Sequence, residues 1–278
     1  MPEAVINPYR PELATIKEII QETHNIRTFR IVLNDEEKMK QFTFESGQVG
    51  QLSVFGVGES TFVINSPPSQ KEYLQFSVMR AGEVTSRLHQ LNEGDQIGVR
   101  APLGKGFPLD KLKGRDILFI GGGIGMAPMR TLLLHTLDHR SEYGKIKVIY
   151  GARTPQDLCY GYEFDMWREG GAELVLTIDT EAPGWTERVG FVPTVLKEEN
   201  PSPDNLVAVT CGPPIMIKFV LQGLKEMGFE DSQIMTTLEK RMKCGIGMCG
   251  RCNIGDKYVC IDGPAFTYDQ LKHMMPEL

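Results

Sequence analysis

Long apolar runs are missing from this sequence. Nothing in it approaches the ~18–20 consecutive apolar residues that a membrane helix needs, so no membrane span is expected. The opening stretch, Met1 to Arg10, lacks an apolar core followed by a small-residue cleavage site. No secretory leader is expected, and the chain reads as cytoplasmic. Basic charge is not in excess either: 30 Lys and Arg stand against 36 Asp and Glu, a formal net charge of −6. Nucleic-acid binding demands a basic face for backbone phosphates, so that class is disfavoured, while a local basic patch for one dinucleotide phosphate is allowed. Familiar hydrolytic signatures are absent. There is no G-x-S-x-G nucleophile turn. Of the five histidines, His24, His89, His135, His139 and His273, only His135 and His139 have a zinc-type spacing. No Glu stands beside His135, so a solvated helix face is the better reading of that pair. The chain has no internal repeat and no low-complexity segment.

What is present is an ordinary globular composition, 41% apolar and 24% charged, over a length that suits two domains of about 100–200 residues plus a small module. From about Thr15 to Val99 the chain reads as short strands broken by turns. Arg27 to Leu33, Gln51 to Phe55 and Leu74 to Val78 alternate polar and apolar residues, the period of a half-buried strand. Gly47, Gly56 to Gly58, Ser66 to Ser69 and Glu93 to Asp95 punctuate them. This spacing predicts an antiparallel barrel or sandwich. The pattern changes near Gly114. Asp116 to Ile120 is a continuous apolar run, as in a strand buried on both faces. Further strands are predicted at 146–150, 174–178 and 206–210, with helices at 127–137 and 216–227. Strands alternating with helices predict a parallel, doubly wound α/β sheet. The expected division is therefore 1–110, 111–232 and a small module at 233–278.

Six cysteines do not make a disulfide scaffold in a chain this long, yet four crowd into Cys244 to Cys260. Cys244, Cys249, Cys252 and Cys260 have the spacing C-x4-C-x2-C-x7-C. The first three match the plant-type spacing for a [2Fe-2S] cluster. Glycines at 245, 247 and 250 let the backbone fold tightly and aim its N–H groups at sulfur. The competing reading is zinc, which also takes four thiolates, but usually from two C-x2–4-C knuckles held apart. The glycine-rich loop and the lone fourth cysteine favour the binuclear iron cluster.

Two turns point to a nucleotide. Ile117 to Ile120 runs into Gly121-Gly122-Gly123-Ile124-Gly125-Met126-Ala127-Pro128 and then a helix. Glycine lets backbone approach a pyrophosphate, whose charge a helix N-terminus favours. Pro128 suits a first helical turn, where no N–H is needed. Cys211-Gly212-Pro213-Pro214 makes a sharp turn at the carboxyl end of another predicted strand, beside the crevice where ligands of such sheets bind. Either turn alone is weak, since plain steric turns also use glycine and proline. Together they predict a dinucleotide cleft.

With these residues in view the chain resembles the ferredoxin–NADP reductase superfamily, in its iron–sulfur branch. That branch includes the dihydroorotate dehydrogenase electron-transfer subunit, sulfhydrogenase gamma subunits and the corresponding component of anaerobic sulfite reductase. The glycine turn, Tyr150-Gly151-Ala152-Arg153, Cys211-Gly212-Pro213 and the cysteine cluster carry the resemblance. The run from Lys243 to Gly263 looks most like the sulfhydrogenase gamma type. The resemblance implies FAD on a β-barrel domain, NAD(P)H on the α/β domain and a [2Fe-2S] cluster on the C-terminal module. It places the flavin motif Arg-x-Tyr/Phe-Ser at Ser60-Thr61-Phe62-Val63. Phe62 matches the aromatic position, whereas Ser60 and Val63 replace the arginine and serine. Ile64, Asn65 and Ser66 would line the isoalloxazine. Met79 and Arg80, then Gly82, Thr85 and Ser86, resemble the second flavin segment, with Arg80 a candidate for the missing positive charge. Gly104 to Pro108 resembles the link between domains. For the nucleotide, Gly122, Gly123, Ile124, Gly125, Ala127 and Pro128 would cradle phosphate, with Gly212 and Pro213 opposite. Arg153 would meet a ribose or phosphate, and Asp179 an adenine ribose hydroxyl. Cys211 would lie near the nicotinamide–flavin contact as a positioning group. The implied partner is a catalytic redox subunit of a larger complex. A self-contained reductase and a redox-sensing subunit without turnover are the alternatives.

Overall fold

The computed structural model describes residues 7–274. The chain begins with β1 (Glu12–Thr23), β2 (Ile26–Leu33), α1 (Glu36–Gln41), β3 (Val49–Val54), β4 (Gly58–Val63), β5 (Leu74–Met79), α2 (Glu83–Leu88) and β6 (Gln96–Leu103). These six strands form one sheet in the order β4-β3-β6-β1-β2-β5, every pair antiparallel. Alternation explains it. Phe29, Ile31 and Leu33 of β2 face inward with Leu52, Val54, Phe76, Val78, Ile97 and Val99, all buried in one apolar cluster. The sheet curls until the chain after β4 meets β5, where the Asn65 N–H donates to the Gln75 carbonyl at 2.9 Å.

The second region contains β7 (Asp116–Gly122), α3 (Met126–Asp138), β8 (Ile146–Ala152), α4 (Phe164–Glu169), β9 (Ala172–Ile178), β10 (Arg188–Val189), α5 (Val192–Glu199), β11 (Leu206–Cys211), α6 (Pro214–Glu226) and β12 (Ile234–Thr237). The last part adds β13 (Asn253–Ile254), β14 (Lys257–Tyr258), α7 (Val259–Asp262), β15 (Ala265–Thr267) and α8 (Tyr268–Met274). A seven-stranded sheet runs β10-β9-β8-β7-β11-β12-β15. It is parallel from β10 to β12, and β15 joins antiparallel. Along β7, Ile117 and Phe119 enter one core, with Leu132, Leu133 and Trp167. Leu118 and Ile120 enter the other, with Val220, Leu221 and Leu224. Both faces of the strand are covered, which is why its sequence lacks alternation.

Residues 234–267 therefore contribute two strands, β12 and β15, to the α/β sheet, and the four clustered cysteines lie between them, Cys260 on α7. Cys252, Ile254, Val259 and Cys260 share the second core with Val49 of the barrel. Among the described residues no helix is long and apolar enough to cross a membrane.

Candidate functional site

The two glycine-containing turns meet at the carboxyl ends of neighbouring strands, since Cys211 pairs with Gly121 between β11 and β7. Their backbones approach so closely that a Cβ on Gly125 would lie 2.4 Å from the Cys211 carbonyl oxygen. Gly122 is pressed against Met216 and Pro213, while Gly123 faces open space with nothing within 4 Å. The Tyr150 hydroxyl fixes this turn by donating to the Gly123 carbonyl at 3.0 Å. Ala127 is buried and Pro128 half-buried at the start of α3. Gly212 and Pro213 form the opposite wall. Open backbone beside a helix start is the arrangement that takes a dinucleotide phosphate.

Cys211 keeps some exposed surface, yet burial pushes its thiol up to about 11 against the opposing donation from Thr237. Thr237 Oγ1 lies 3.0 Å from the sulfur. The group is therefore a neutral thiol near pH 7 and a poor nucleophile. Arg153 and Asp179 follow two paired strand ends, Ala152 and Ile178. Burial raises the Asp179 carboxyl, and the Arg153 charge partly offsets that. Both residues thus stand just past the carboxyl ends of neighbouring strands.

The barrel side of the site divides in two. Phe62 and Val63 are half-buried at the end of β4, Ile64 belongs to the barrel core, and Asn65 and Ser66 are fully buried. Asn65 Nδ2 donates to Ser77 Oγ at 2.7 Å and to the Tyr160 hydroxyl at 2.9 Å. Ser66 Oγ accepts from the Gln75 N–H at 3.2 Å. Their side chains are thus engaged inside the protein, except that Asn65 Oδ1 is buried without a protein partner. An orphan acceptor there fits a bound flavin, whose ring N–H needs one. Met79 is 39% exposed at the end of β5, and Arg80 is exposed beside it. Gly82 faces open space. Thr85 Oγ1 accepts from the Ala81 and Gly82 N–H groups at 2.9 and 2.8 Å, so its hydroxyl caps α2. Ser86 is half-buried on the first turn.

A polar network that local sequence did not disclose joins the two domains behind this segment. The Tyr160 hydroxyl donates to Ser77 Oγ at 2.8 Å. With two donors already directed at Ser77, its own proton goes to Thr28, 2.6 Å away, and Thr28 donates to Glu22 at 2.7 Å. Glu22 also accepts the Tyr160 N–H at 2.8 Å. Tyr160 sits at φ 63, a left-handed conformation that costs a bulky residue about 1–2 kcal/mol, so these bonds hold it against a local preference. Arg130 on α3 donates to Glu163 at 2.7 Å and to the Asn65 carbonyl. Both members of this ion pair are over 90% buried. Thr131 Oγ1 adds a bond of 2.8 Å to the Ser66 carbonyl.

The cysteine loop gathers all four expected residues. Ile246, Met248 and Cys249 N–H groups point at Cys244 Sγ at 3.5, 3.3 and 3.4 Å, and the Gly247 N–H at Cys260 Sγ at 3.2 Å. Burial works to raise the Cys244 thiol, but the amides of Ile246, Cys249 and Met248 outweigh it and bring it down to about 7. Burial and the neighbouring Cys252 push Cys260 up to about 12. Cys249 acts on Cys244, and Cys252 and Cys244 both act on Cys260, so the four thiols lie close together. No three His, Cys, Asp or Glu side chains converge on one ion position among the described residues. Four thiols in one glycine-rich loop, with backbone amides aimed at Cys244 and Cys260, fit a binuclear iron cluster, which is held by four thiolates.

The family described as "Oxidoreductase NAD-binding domain" matches residues 119–222. The iron-sulfur cluster binding domain of dihydroorotate dehydrogenase B matches residues 239–272. Sulfhydrogenase 1 subunit gamma of Pyrococcus furiosus is 39% identical over 269 residues, covering 94% of this chain and 92% of that protein. A probable dihydroorotate dehydrogenase B (NAD(+)) electron transfer subunit of Methanocaldococcus jannaschii is 36% identical over 267 residues, covering 95% and 92%. Among solved structures, an NADH-dependent reduced ferredoxin-NADP oxidoreductase aligns with a TM-score of 0.74 at 22% identity, over 100% of this chain and 95% of that one. A ferredoxin NADP+ reductase from Neisseria gonorrhoeae aligns at 0.69 and 20%, over 81% and 96%. Those two likenesses establish the fold. Identity along nearly the whole chain goes further: the protein belongs to the family of sulfhydrogenase gamma subunits and dihydroorotate dehydrogenase B electron-transfer subunits.

Proposed function

We propose that this chain is an electron-transfer oxidoreductase subunit that exchanges electrons between NAD(P)H and a catalytic redox subunit of a larger complex. A hydrogenase, a sulfur or sulfite reductase, a heterodisulfide-type enzyme and a dihydroorotate dehydrogenase are partner classes that use such a module. The observation that carries the reading is the cysteine loop, whose four thiols and aimed amides share one chain with the two glycine turns. When bound, NAD(P)H supplies hydride, FAD interconverts two-electron and one-electron transfer, and the [2Fe-2S] cluster carries single electrons.

The protein's own part is binding and alignment. Gly122, Gly123, Ile124, Gly125, Ala127 and Pro128 hold the dinucleotide phosphates, with Gly212 and Pro213 opposite and Arg153 and Asp179 toward the ribose end. Cys211 packs at the hydride-transfer position as a neutral thiol and excludes water. Phe62, Val63, Asn65, Met79 and Arg80 line the flavin, Ile64 and Ser66 anchor that segment from inside the barrel, and Gly82, Thr85 and Ser86 lie at the flavin phosphates. Cys244, Cys249, Cys252 and Cys260 hold the cluster. Reduced thiols at these four positions suit a cytoplasmic setting.

The test is anaerobic reconstitution of the full chain with FAD, iron and sulfide. NADH or NADPH should bleach the flavin rapidly and then drive viologen reduction. A protein that stays colourless after reconstitution would sink the reading. Stoichiometric zinc without sulfide would remove its iron–sulfur part. Affinity isolation from the native source should then bring down the catalytic subunit.

A further inference from the structure

The cysteine loop rests on the outer face of barrel strands β3, β4 and β6. Gln51 of β3 pairs with Thr61 of β4 on one side and with Arg100 of β6 on the other, and Glu59 lies two residues before Thr61. Neighbours of opposite parity, Leu52, Phe62 and Val99, belong to the barrel core, so this polar row points away from it. The row is nevertheless covered. Gln51 is fully buried, and the Arg100 side chain is only 4% exposed.

What covers it is the start of the cysteine loop. Arg100 Nη1 donates to the Cys244 carbonyl at 2.8 Å and to the Pro8 carbonyl at 3.3 Å. Nη2 donates to the Lys243 carbonyl at 3.3 Å, to Glu59 Oε1 at 2.8 Å and to Gln51 Oε1. Gln51 Nε2 in turn donates to the Lys243 carbonyl at 3.0 Å. Leu103 packs so close that a Cβ on Gly245 would lie 2.7 Å from its Cδ1. Cys244 is therefore gripped from both sides. Loop amides hold its sulfur, and the barrel holds its carbonyl across a sequence separation of 144 residues.

A buried guanidinium in this place has an electrical consequence. Charges interact more strongly where water is excluded, and nearby hydrogen bonding and net charge set the potential of an iron–sulfur cluster. Adding an electron makes a thiolate-held cluster more negative, so a fixed cation nearby favours the reduced state. Glu59, 32% exposed and paired with the same guanidinium, acts with the opposite sign.

We propose that Arg100 and Gln51 are positioning residues that clamp the cluster loop to the flavin-bearing barrel, and that the Arg100 charge raises the reduction potential of the cluster. The potential half of this rests on the function proposed above, because it needs a cluster at Cys244 to Cys260. The clamp half does not.

The test uses full-length wild type, Arg100→Gln, Arg100→Lys and Glu59→Gln, reconstituted anaerobically and titrated against applied potential by EPR. Arg100→Gln is expected to shift the oxidised-to-reduced ratio about tenfold toward oxidised, a fall of about 59 mV for a one-electron couple. Glu59→Gln should move the potential upward, and Arg100→Lys should stay nearer wild type. A merely structural role would move both Gln variants in one direction. That result, or no movement in either, overturns the charge assignment. If Arg100→Gln takes up no cluster, Glu59→Gln still decides it. The clamp is read on the cluster-free full chain by hydrogen exchange, where the 243–250 amides should exchange at least tenfold faster in Arg100→Gln. Equal exchange overturns the clamp. A wild type that binds no cluster defeats the proposed function and the charge assignment together, and leaves the exchange comparison to judge the clamp alone.

Discussion

The nucleotide turn, Gly121 to Gly125, and the cysteine loop, Lys243 to Gly250, look alike on paper, yet Gly125 in one and Gly247 in the other answer different demands. At Gly125 the demand is space. Gly125 has an ordinary φ of −59, but any side chain would run into the backbone of Cys211 and Gly212. In the loop the demand is handedness. Gly247 sits at φ +75 and from there aims its N–H at Cys260 Sγ. The first cannot be relieved by a rotamer change, because the obstacle is main chain. The second is a conformational preference, with a smaller and more local penalty.

The sharpest way to break this contrast is Gly125→Val. Overpacking against an immovable backbone should cost about 3 kcal/mol, the upper end of what such insertions cost, and should abolish tight NADH binding. Thermal melting and an NADH titration check both, and normal values for each would mean the two turns can part freely. Gly247→Ala comes next, at about 1–2 kcal/mol for a left-handed alanine, with the Ile261 side chain 2.9 Å from the new Cβ. Iron content should fall while NADH affinity holds. Loss of both together would erase the distinction between the regions.

Thiol labelling sharpens it further. In cluster-free protein at pH 7, exposed Cys249 should alkylate at least tenfold faster than Cys211, whose thiol sits near 11, because only thiolate reacts. Peptide mass spectrometry after timed iodoacetamide treatment gives the ratio, and comparable rates would show that the crevice floor is open. The smallest effect is acid sensitivity on α3. Burial, and then the neighbouring His139, lower the His135 pKa. The folded state therefore favours neutral His135, a contribution present above the ordinary value near 6.5 and lost as pH falls below it. Urea midpoints at pH 7.5 and 5.5 should converge slightly in His135→Gln; an unchanged gap would remove His135 as a cause.

Much of this was legible because it is local. The β2, β5, β7, β8, β9 and β11 strands, and helices α3 and α6, lie within a few residues of where the sequence puts them, since each is marked by its own alternating or continuous apolar run. The four cysteines and both turns were legible because spacing within a short window carries their chemistry. What sequence could not disclose is contact across distance. Arg100 reads as a strand arginine until the fold sets it against Cys244. Tyr160, Arg130 and Glu163 look like ordinary loop and helix residues until the barrel buries them. Strands β12 and β15 are too short for a period to register, so nothing in their residues announces that they share a sheet with the nucleotide turn.

That sharing has a practical consequence. Segment 238–264 leaves the α/β sheet at Thr237 and re-enters it at Ala265, two residues that face each other across adjacent strands. Its entrance and exit are thus a fixed doorway. A relative's cysteine segment transplanted between those two seams would meet the same sheet frame, but it would also have to match the barrel through the Lys243 and Cys244 carbonyls that Gln51 and Arg100 hold.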